Sequence, residues 1–358
     1  MSNIEWTDET WNPVVGCTPV SPGCLNCYAA GMARRLEGMG VAGYERRLVD
    51  EQGREHCGAV PEPVRARCRT LRIAEVRGRR AVFTGDVRTL EDRLTEPLRW
   101  RKPRRVFVNS MSDLFHEAVP FEFIDRVWAV MALCPQHTFQ VLTKRPERMA
   151  EYLNGRDAGG RTRDLVVIAN TVNLPRPRDW EKHVCTWPLP NVWLGASVED
   201  QARADERIPH LTRCPAAVRF LSCEPLLGPV YLKLNHEVLT DMMDSSGRRD
   251  SSRVGRYPFP GLAPEYRTRR RHALGWVIVG GESGAKSGVR PCSVDWIRGI
   301  VHQCKEAGVP VFVKQLGAKA FEGVVDGPFL LLNDRKGGDP AEWPEDLRVR
   351  EWPAEVKA

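Results

Sequence analysis

Apolar residues in this chain gather into short continuous runs, each followed by a polar turn and then by a stretch with helical spacing. Ala81-Val82-Phe83-Thr84, Val106-Phe107-Val108, Thr138 to Leu142, Asn191 to Leu194, Val218 to Leu221, Trp276 to Val279 and Val309 to Val313 are such runs. Continuous rather than alternating hydrophobicity marks strands covered on both faces, as in parallel sheets. Phe121 to Cys134 carries apolar residues at Ile124, Val127, Trp128 and Met131, the period of a helix with one buried face. Tyr28 to Met39, Arg88 to Trp100, Asp200 to Arg213 and Val294 to Ala307 also read as helices. Strands alternating with helices predict an α/β fold, a partial or full (β/α) barrel, as a single domain over residues 1–358.

Three stretches break the regularity. Residues 41–80 are polar and arginine-rich and read as an insertion beside the N-terminal loop, and 233–273 read as a second, mobile insertion. Residues 154–190 hold one possible strand, Leu165-Val166-Val167-Ile168-Ala169. A C-terminal extension, 330–358, has turn residues and Trp343 as an anchor, and is expected to pack on the barrel.

The polar residues after each apolar run are the informative ones. Asp113, Lys144, Ser197 with Glu199, Glu224, Glu282 and Lys314 each follow a strand, where a barrel gathers its active site. Turn chemistry accounts for Gly, Asn, Asp and Ser at such places, but not for Lys and Glu. Lys144, Glu224, Glu282 and Lys314 are therefore candidates for substrate binding or proton transfer. His116, just past Asp113, could join them as an acid or base, although a surface histidine is the commoner outcome.

The densest chemistry lies in Gly16-Cys17-Thr18-Pro19-Val20-Ser21-Pro22-Gly23-Cys24-Leu25-Asn26-Cys27-Tyr28, with cysteines spaced Cys-x6-Cys-x2-Cys. Its Gly and Pro residues can fold the loop so that three sulfurs converge, and a helix starting at Tyr28 would favour thiolates at Cys24 and Cys27. Three thiolates are one short of a closed tetrahedral zinc site and of a cluster that only carries electrons. They leave a position open for a ligand. The alternative is a closed zinc site completed by His56, Cys57 or Cys68, in a protein that binds nucleic acid without catalysis.

Charge supports a nucleic acid or nucleotide partner. The net charge is +7, carried by arginine more than lysine, with local concentrations at Arg65 to Arg80, Arg99 to Arg105 and Arg267 to Arg271; arginine favours bidentate phosphate contacts. Solvated charged faces in an arginine-rich proteome would look the same. No apolar run reaches the roughly 20 residues of a membrane helix, and the acidic start lacks signal-peptide features. Eleven cysteines, an odd number, do not suggest a secreted disulfide framework, so a reducing, cytoplasmic setting is expected. Gly280 to Ser287 nearly spells a phosphate-binding loop, but Ala285 replaces its second glycine, and Gly288 and Pro291 oppose the helix such a loop needs. Gly280 and Gly281 fit better as sites of close cofactor approach.

The cysteine triad followed by Tyr28 resembles the cluster loop of radical S-adenosylmethionine enzymes, whose usual spacing is Cys-x3-Cys-x2-Cys and an aromatic residue. Cys24-x2-Cys27-Tyr28 matches that pattern, and the gap from Cys17 is longer. Trp6 to Pro13, Leu142 to Pro146, Ser222 to Leu226 and Gly280 to Gly284 are similar to an uncharacterised family of phage and prophage proteins named for a three-cysteine motif. The endings Asn109 to Asp113 and Thr143-Lys144 resemble the spore photoproduct lyase branch. The resemblance implies a 4Fe-4S cluster on Cys17, Cys24 and Cys27, S-adenosylmethionine on the iron without a thiolate, and an electron donor. It places Tyr28 against the adenine. Position alone suggests that Ser110, Ser112, Asp113, Ser197 and Glu199 contact the cofactor's amino or ribose groups.

Overall fold

The computed structural model describes residues 4–52, 54–56, 65, 67–78, 80–155, 158–171, 180, 186–234, 274–285, 287–323, 325 and 327–354. Seven strands form one parallel sheet in chain order: β1 (Glu9–Trp11), β2 (Arg105–Val108), β3 (Thr138–Thr143), β4 (Val192–Ser197), β5 (Val218–Cys223), β6 (Trp276–Gly280) and β7 (Val311–Gln315). The sheet curls into a half-barrel flanked by helices, the expected partial (β/α) barrel. The helices used below are α1 (Tyr28–Gly38), α2 (Phe121–Ala132), α3 (Pro146–Asn154), α4 (Ala158–Thr171), α5 (Gln201–Thr212) and α6 (Val294–Ala307).

Alternate residues of each strand face opposite ways, and the two faces bury different chemistry. Val106, Val108, Val141, Leu194, Leu221, Val277, Val279, Val311 and Val313 join α2, α4 and α6 in the aliphatic outer core. The concave face carries Phe107, Trp193, Phe220, Trp276, Ile278 and Phe312, closed by Trp6. Trp276 has no exposed surface and packs edge-on at 5.9 Å from Trp193 and 6.2 Å from Phe312. Trp352 lies 5.0 Å from Trp276, and the Arg105 guanidinium lies 4.0 Å above Trp352. This aromatic floor lines the half-barrel beneath the C-terminal ends of its strands. Gly195 makes room for it, since a Cβ there would collide with the Phe220 ring.

Several expectations are corrected. The Leu165 to Ala169 run is helical, inside α4: Leu165 and Ala169, four residues apart, are buried while Val167 is exposed. Ala81 to Phe83 belongs to no barrel strand; Arg80–Phe83 pairs antiparallel with Ala74–Arg77 in a hairpin turned at Gly78. Arg88 to Trp100 is not one helix. Arg88–Thr89 pairs antiparallel with Val14–Val15, a helical turn covers Glu91–Leu94, and Pro97, lacking an N–H, sits in a 3-10 turn, Glu96–Arg99. The true first strand, Glu9–Trp11, is too short and too polar to announce itself.

The 41–80 stretch is ordered around its few apolar residues. Tyr44, Ile73, Ala74 and Phe83 pack with Ala29, Ala30 and Ala33 of α1 into a second core, against which Cys17 and Cys27 rest. Most of the 233–273 insertion, residues 235–273, lies outside the described residues, as do Arg267 to Arg271. The tail lies along β7, where Val313 N–H donates to Val349 O and Glu351 N–H to Val311 O, both at 2.9 Å, and Trp343 is buried. Among the described residues no helix is long and apolar enough to cross a membrane.

Overpacking a filled core costs about 1–3 kcal/mol. Gly195→Ala is expected to lose about that much in urea unfolding, and Phe220→Leu added to it to recover part of the loss. An unchanged midpoint in Gly195→Ala would refute the close packing of β4 on Phe220.

Candidate metal and cofactor site at the mouth of the half-barrel

Following each strand's inward row to its C-terminal end, and past it where the row continues, brings Lys144, Ser197, Glu199, Glu224, Glu282 and Lys314 to one rim above the floor. Two of the three glutamates of that rim hold the cysteine loop. Glu199 has no exposed surface and accepts from Ser21 Oγ at 2.6 Å, Lys144 Nζ at 3.2 Å and Arg207 Nη1 at 3.1 Å. Burial alone would raise its pKa, but Lys144 and Arg207, with the Ser21 hydroxyl, hold it below the usual carboxylate range. Gly23 lies so close over Glu199 that a Cβ would collide with the carboxylate. Glu282 accepts from Asn26 Nδ2 and from the Arg290 backbone N–H, both at 2.8 Å, and pairs with the Arg290 guanidinium. Its pKa is also low, because Arg290 and Asn26 outweigh burial. Arg290 donates to Pro22 O at 2.7 Å, completing the tie.

The loop's first half is held by the ends of β2 and β3. Arg145, 7% exposed, donates from Nη2 to Thr18 O at 3.1 Å and from Nη1 to Cys17 Sγ at 3.7 Å and Asp113 Oδ2 at 3.3 Å. His116 is buried, not on the surface. Its Nδ1 accepts from Ala118 N–H at 3.1 Å, so Nε2 carries the proton toward Thr18 Oγ1 at 2.8 Å. Burial, then the Arg145 cation, holds this histidine below its ordinary pKa. Gly16, at φ +89, lets the chain turn beneath Asp86, and Gly85 N–H donates to Cys17 O at 3.2 Å.

Two sulfurs of the triad, those of Cys17 and Cys27, are met by donor groups, while Ser21 beside Cys24 gives its proton to Glu199. Arg145 faces Cys17, the Ser21 hydroxyl lies 3.8 Å from Cys24 Sγ, and the amides of Ala29 and Ala30 at the start of α1 point at Cys27. Cys214 and Cys292, in the core, instead donate to backbone carbonyls. The thiolate expected at Cys27 is not favoured by its surroundings. Burial pushes Cys17 up to about 12, and burial outweighs the helix amides at Cys27. Cys17 accordingly donates to Thr18 O at 3.5 Å. Only a bound cation would make thiolates of them, with release of protons.

Zinc holds its thiolates about 2.3 Å from one centre. Among the described residues no three His, Cys, Asp or Glu side chains are grouped to hold a single ion. His56 is tied to Asp50 at 3.1 Å, and Cys57 lies outside the described residues. Cys17, Cys24 and Cys27 are nonetheless near neighbours: charge on Cys27 would raise the pKa of Cys17, and charge on Cys24 that of Cys27. The three thiols thus share one loop without converging on a single-ion site.

The remaining expected residues divide. Asp113 is occupied: it accepts from Thr143 Oγ1 at 2.7 Å, Lys144 N–H at 2.9 Å and Phe115 N–H at 3.0 Å, as well as Arg145. Ser110 donates to Asn12 Oδ1 at 3.2 Å and Ser112 to Val14 O at 2.8 Å, so both hydroxyls hold the β1 loop. Ser197 is buried, and its carbonyl accepts from Arg207. Gly280 and Gly281 admit protein rather than cofactor, because a Cβ on Gly280 would meet Glu224 Oε1 at 2.8 Å and one on Gly281 would collide with Leu316 O. Tyr28 donates to Ser110 O at 2.9 Å yet is 59% exposed, leaving its ring open. Lys314 Nζ lies 3.2 Å from Glu224 Oε1, a pair outside the described hydrogen bonds that hold the loop.

Sequence reasoning missed Arg145, Arg207, Arg290 and Asn26 as parts of the site. It also missed Asn109, 2% exposed at φ +63, whose amide nitrogen and oxygen both lack partners. A β-carbon in that conformation is uncommon, and its place after β2 was the available signal.

Two outcomes are expected. Gly23→Ala should lift the loop off Glu199, speeding alkylation of Cys24 and Cys27 with little change in global melting; protection equal to wild type would refute the contact. Because the folded pKa of His116 is depressed, stability should fall as pH drops through the ordinary histidine value of about 6.5 and level off below the folded pKa. His116→Gln should flatten, without abolishing, the Tm-against-pH slope between pH 7 and 5, since His137 is also held neutral by burial. An unchanged slope would count against the neutral buried imidazole.

Comparison with known proteins adds one result. No curated protein and no solved structure matches the chain. A family model described as "Protein of unknown function (DUF5131)" matches residues 1–336. With nearly its whole length matched, the chain belongs to the DUF5131 family.

Proposed function

We propose that this protein is a radical S-adenosylmethionine enzyme acting on a nucleic acid or nucleotide, with Cys17, Cys24 and Cys27 holding a 4Fe-4S cluster. The observation that carries the reading is the thiol triad on a loop pinned across the open end of a half-barrel, with Arg145 at Cys17 and the first amides of α1 at Cys27. When bound, such a cluster with one iron free of thiolate supplies the electron that cleaves S-adenosylmethionine and starts hydrogen abstraction. A low-potential electron donor is required, and a reducing cytoplasm suits thiols in this number.

The chain's own residues would then orient and protect. Ser21, Asn26 and Arg290 keep the loop at a fixed height above the sheet, and the aromatic floor excludes water from below. The open ring of Tyr28 offers a stacking face for an adenine. The orphaned amide of Asn109 has an NH2 group with two N–H donors and a carbonyl acceptor to offer a polar cofactor group. Lys144 and Glu199 are committed to each other and to the loop, so the Lys314–Glu224 pair is the part of the rim best suited to a substrate. Lys314 can donate to a carbonyl or phosphate oxygen while Glu224 accepts an N–H or O–H.

Exposed arginines at 65, 67, 69 and 80 support a polyanionic substrate. Others are engaged within the protein: Arg104 with Glu9, Arg105 with Asp8 and Arg77 with Glu75. The resemblance to phage and prophage proteins extends the reading to a virus-encoded enzyme.

Anaerobic reconstitution with iron and sulfide should give about four irons per chain, with a reduced-state electron paramagnetic resonance signal that changes on adding S-adenosylmethionine. Cys24→Ala should lose both. Glu224→Gln should keep the iron and the cofactor response while losing at least tenfold in turnover of any substrate found. Stoichiometric zinc with no iron uptake would refute the proposal and leave metal-stabilised nucleic-acid binding as its successor.

A further inference from the structure

Arg145 is the one buried cation that reaches a sulfur of the triad among the described contacts, and its surroundings fix it there. Its Nε donates to Glu117 Oε1 at 2.9 Å and Oε2 at 3.2 Å, its Nη1 is shared between Asp113 and Cys17 Sγ, and its Nη2 donates to Thr18 O. Asp113 is in turn locked by four donors, so the fork cannot turn away from Cys17 without breaking the β2–β3 corner. The guanidinium is 7% exposed, where charge is poorly screened. Glu117, by contrast, is 67% exposed and neutralises the guanidinium from the solvent side.

Hydrogen bonds and charge at a cluster's sulfurs are a main lever on its potential. We infer that Arg145 tunes the reduction potential of the metal centre on the triad: by donating Nη1–H to Cys17 Sγ it favours the reduced, more negative state and makes the centre easier to reduce. The inference rests on the cluster reading above. It assigns Arg145 a positioning role, through Cys17, in a one-electron step whose electron comes from a low-potential external donor, dithionite in the test. Asp113 belongs to the same device. Its carboxylate holds the arginine rather than a cofactor.

The test is a mediated potentiometric titration of the anaerobically reconstituted full chain, read by electron paramagnetic resonance. Arg145→Gln should shift the midpoint to more negative potential, and Arg145→Lys, which keeps the charge but loses the fork, should shift it less. Glu117→Gln, at an exposed position, should shift it the opposite way. Arg148→Gln is the control: Arg148 also braces this corner, through His116 O and Val119 O, but reaches no sulfur, and its midpoint should match wild type. Iron-loaded Arg145→Gln at the wild-type midpoint would overturn the inference alone. Should that variant not load, a Glu117→Gln midpoint equal to wild type would overturn it. Wild-type protein that takes up no iron would overturn the cluster reading, and this inference with it.

Discussion

The buried carboxylate of Glu199 is the interaction on which the site depends. A charge without exposed surface must be matched on every side, and here the matches come from three parts of the chain: Lys144 after β3, Arg207 on α5 and Ser21 in the cysteine loop. Removing Lys144 or Arg207 from such an arrangement leaves an uncompensated buried charge, which costs about 3–5 kcal/mol. The loop is therefore held down by the barrel's own electrostatics, and Gly23 permits contact close enough for this. Glu282 and Arg290 repeat the device on the other side of the loop, so the height of the cysteines above the sheet is set at two points.

Charge balance follows from that arrangement. Glu199, Glu282 and Asp113 stand where a barrel displays its reactive groups, yet each is engaged by arginines, lysines or backbone amides that shape the site. The polar strand ends act mainly as a frame. What the frame leaves for chemistry is small: three thiols, an open tyrosine ring, an unpartnered asparagine amide and one lysine–glutamate pair. Such economy is in keeping with the function proposed above, in which a cofactor supplies the reactive centre and the protein its orientation.

The half-barrel was legible in the sequence because its strands are buried on both faces, and six of the seven announce themselves as apolar runs. The first did not, since Glu9–Trp11 takes its strand identity from pairing with β2 rather than from its own composition. Leu165 to Ala169 misled for the opposite reason: five apolar residues in a row say nothing of period until neighbours decide which are buried. Of the site, residue types and positions were readable but not directions. Asp113, Ser110 and Ser112 carry the right groups, and hydrogen bonds to Thr143, Asn12 and Val14 turn those groups to structural use. Arg145 stood beside a candidate lysine in Thr143-Lys144-Arg145, and only the fold brings it 3.7 Å from a cysteine more than a hundred residues earlier.

The aromatic floor joins the two ends of the chain. Trp6 enters it from near the start of the chain and Trp352 from near its end, with Trp276 between them. The floor therefore closes only when a segment from before β1 and one from after β7 meet on the same ring, so loosening either of them uncovers Trp276.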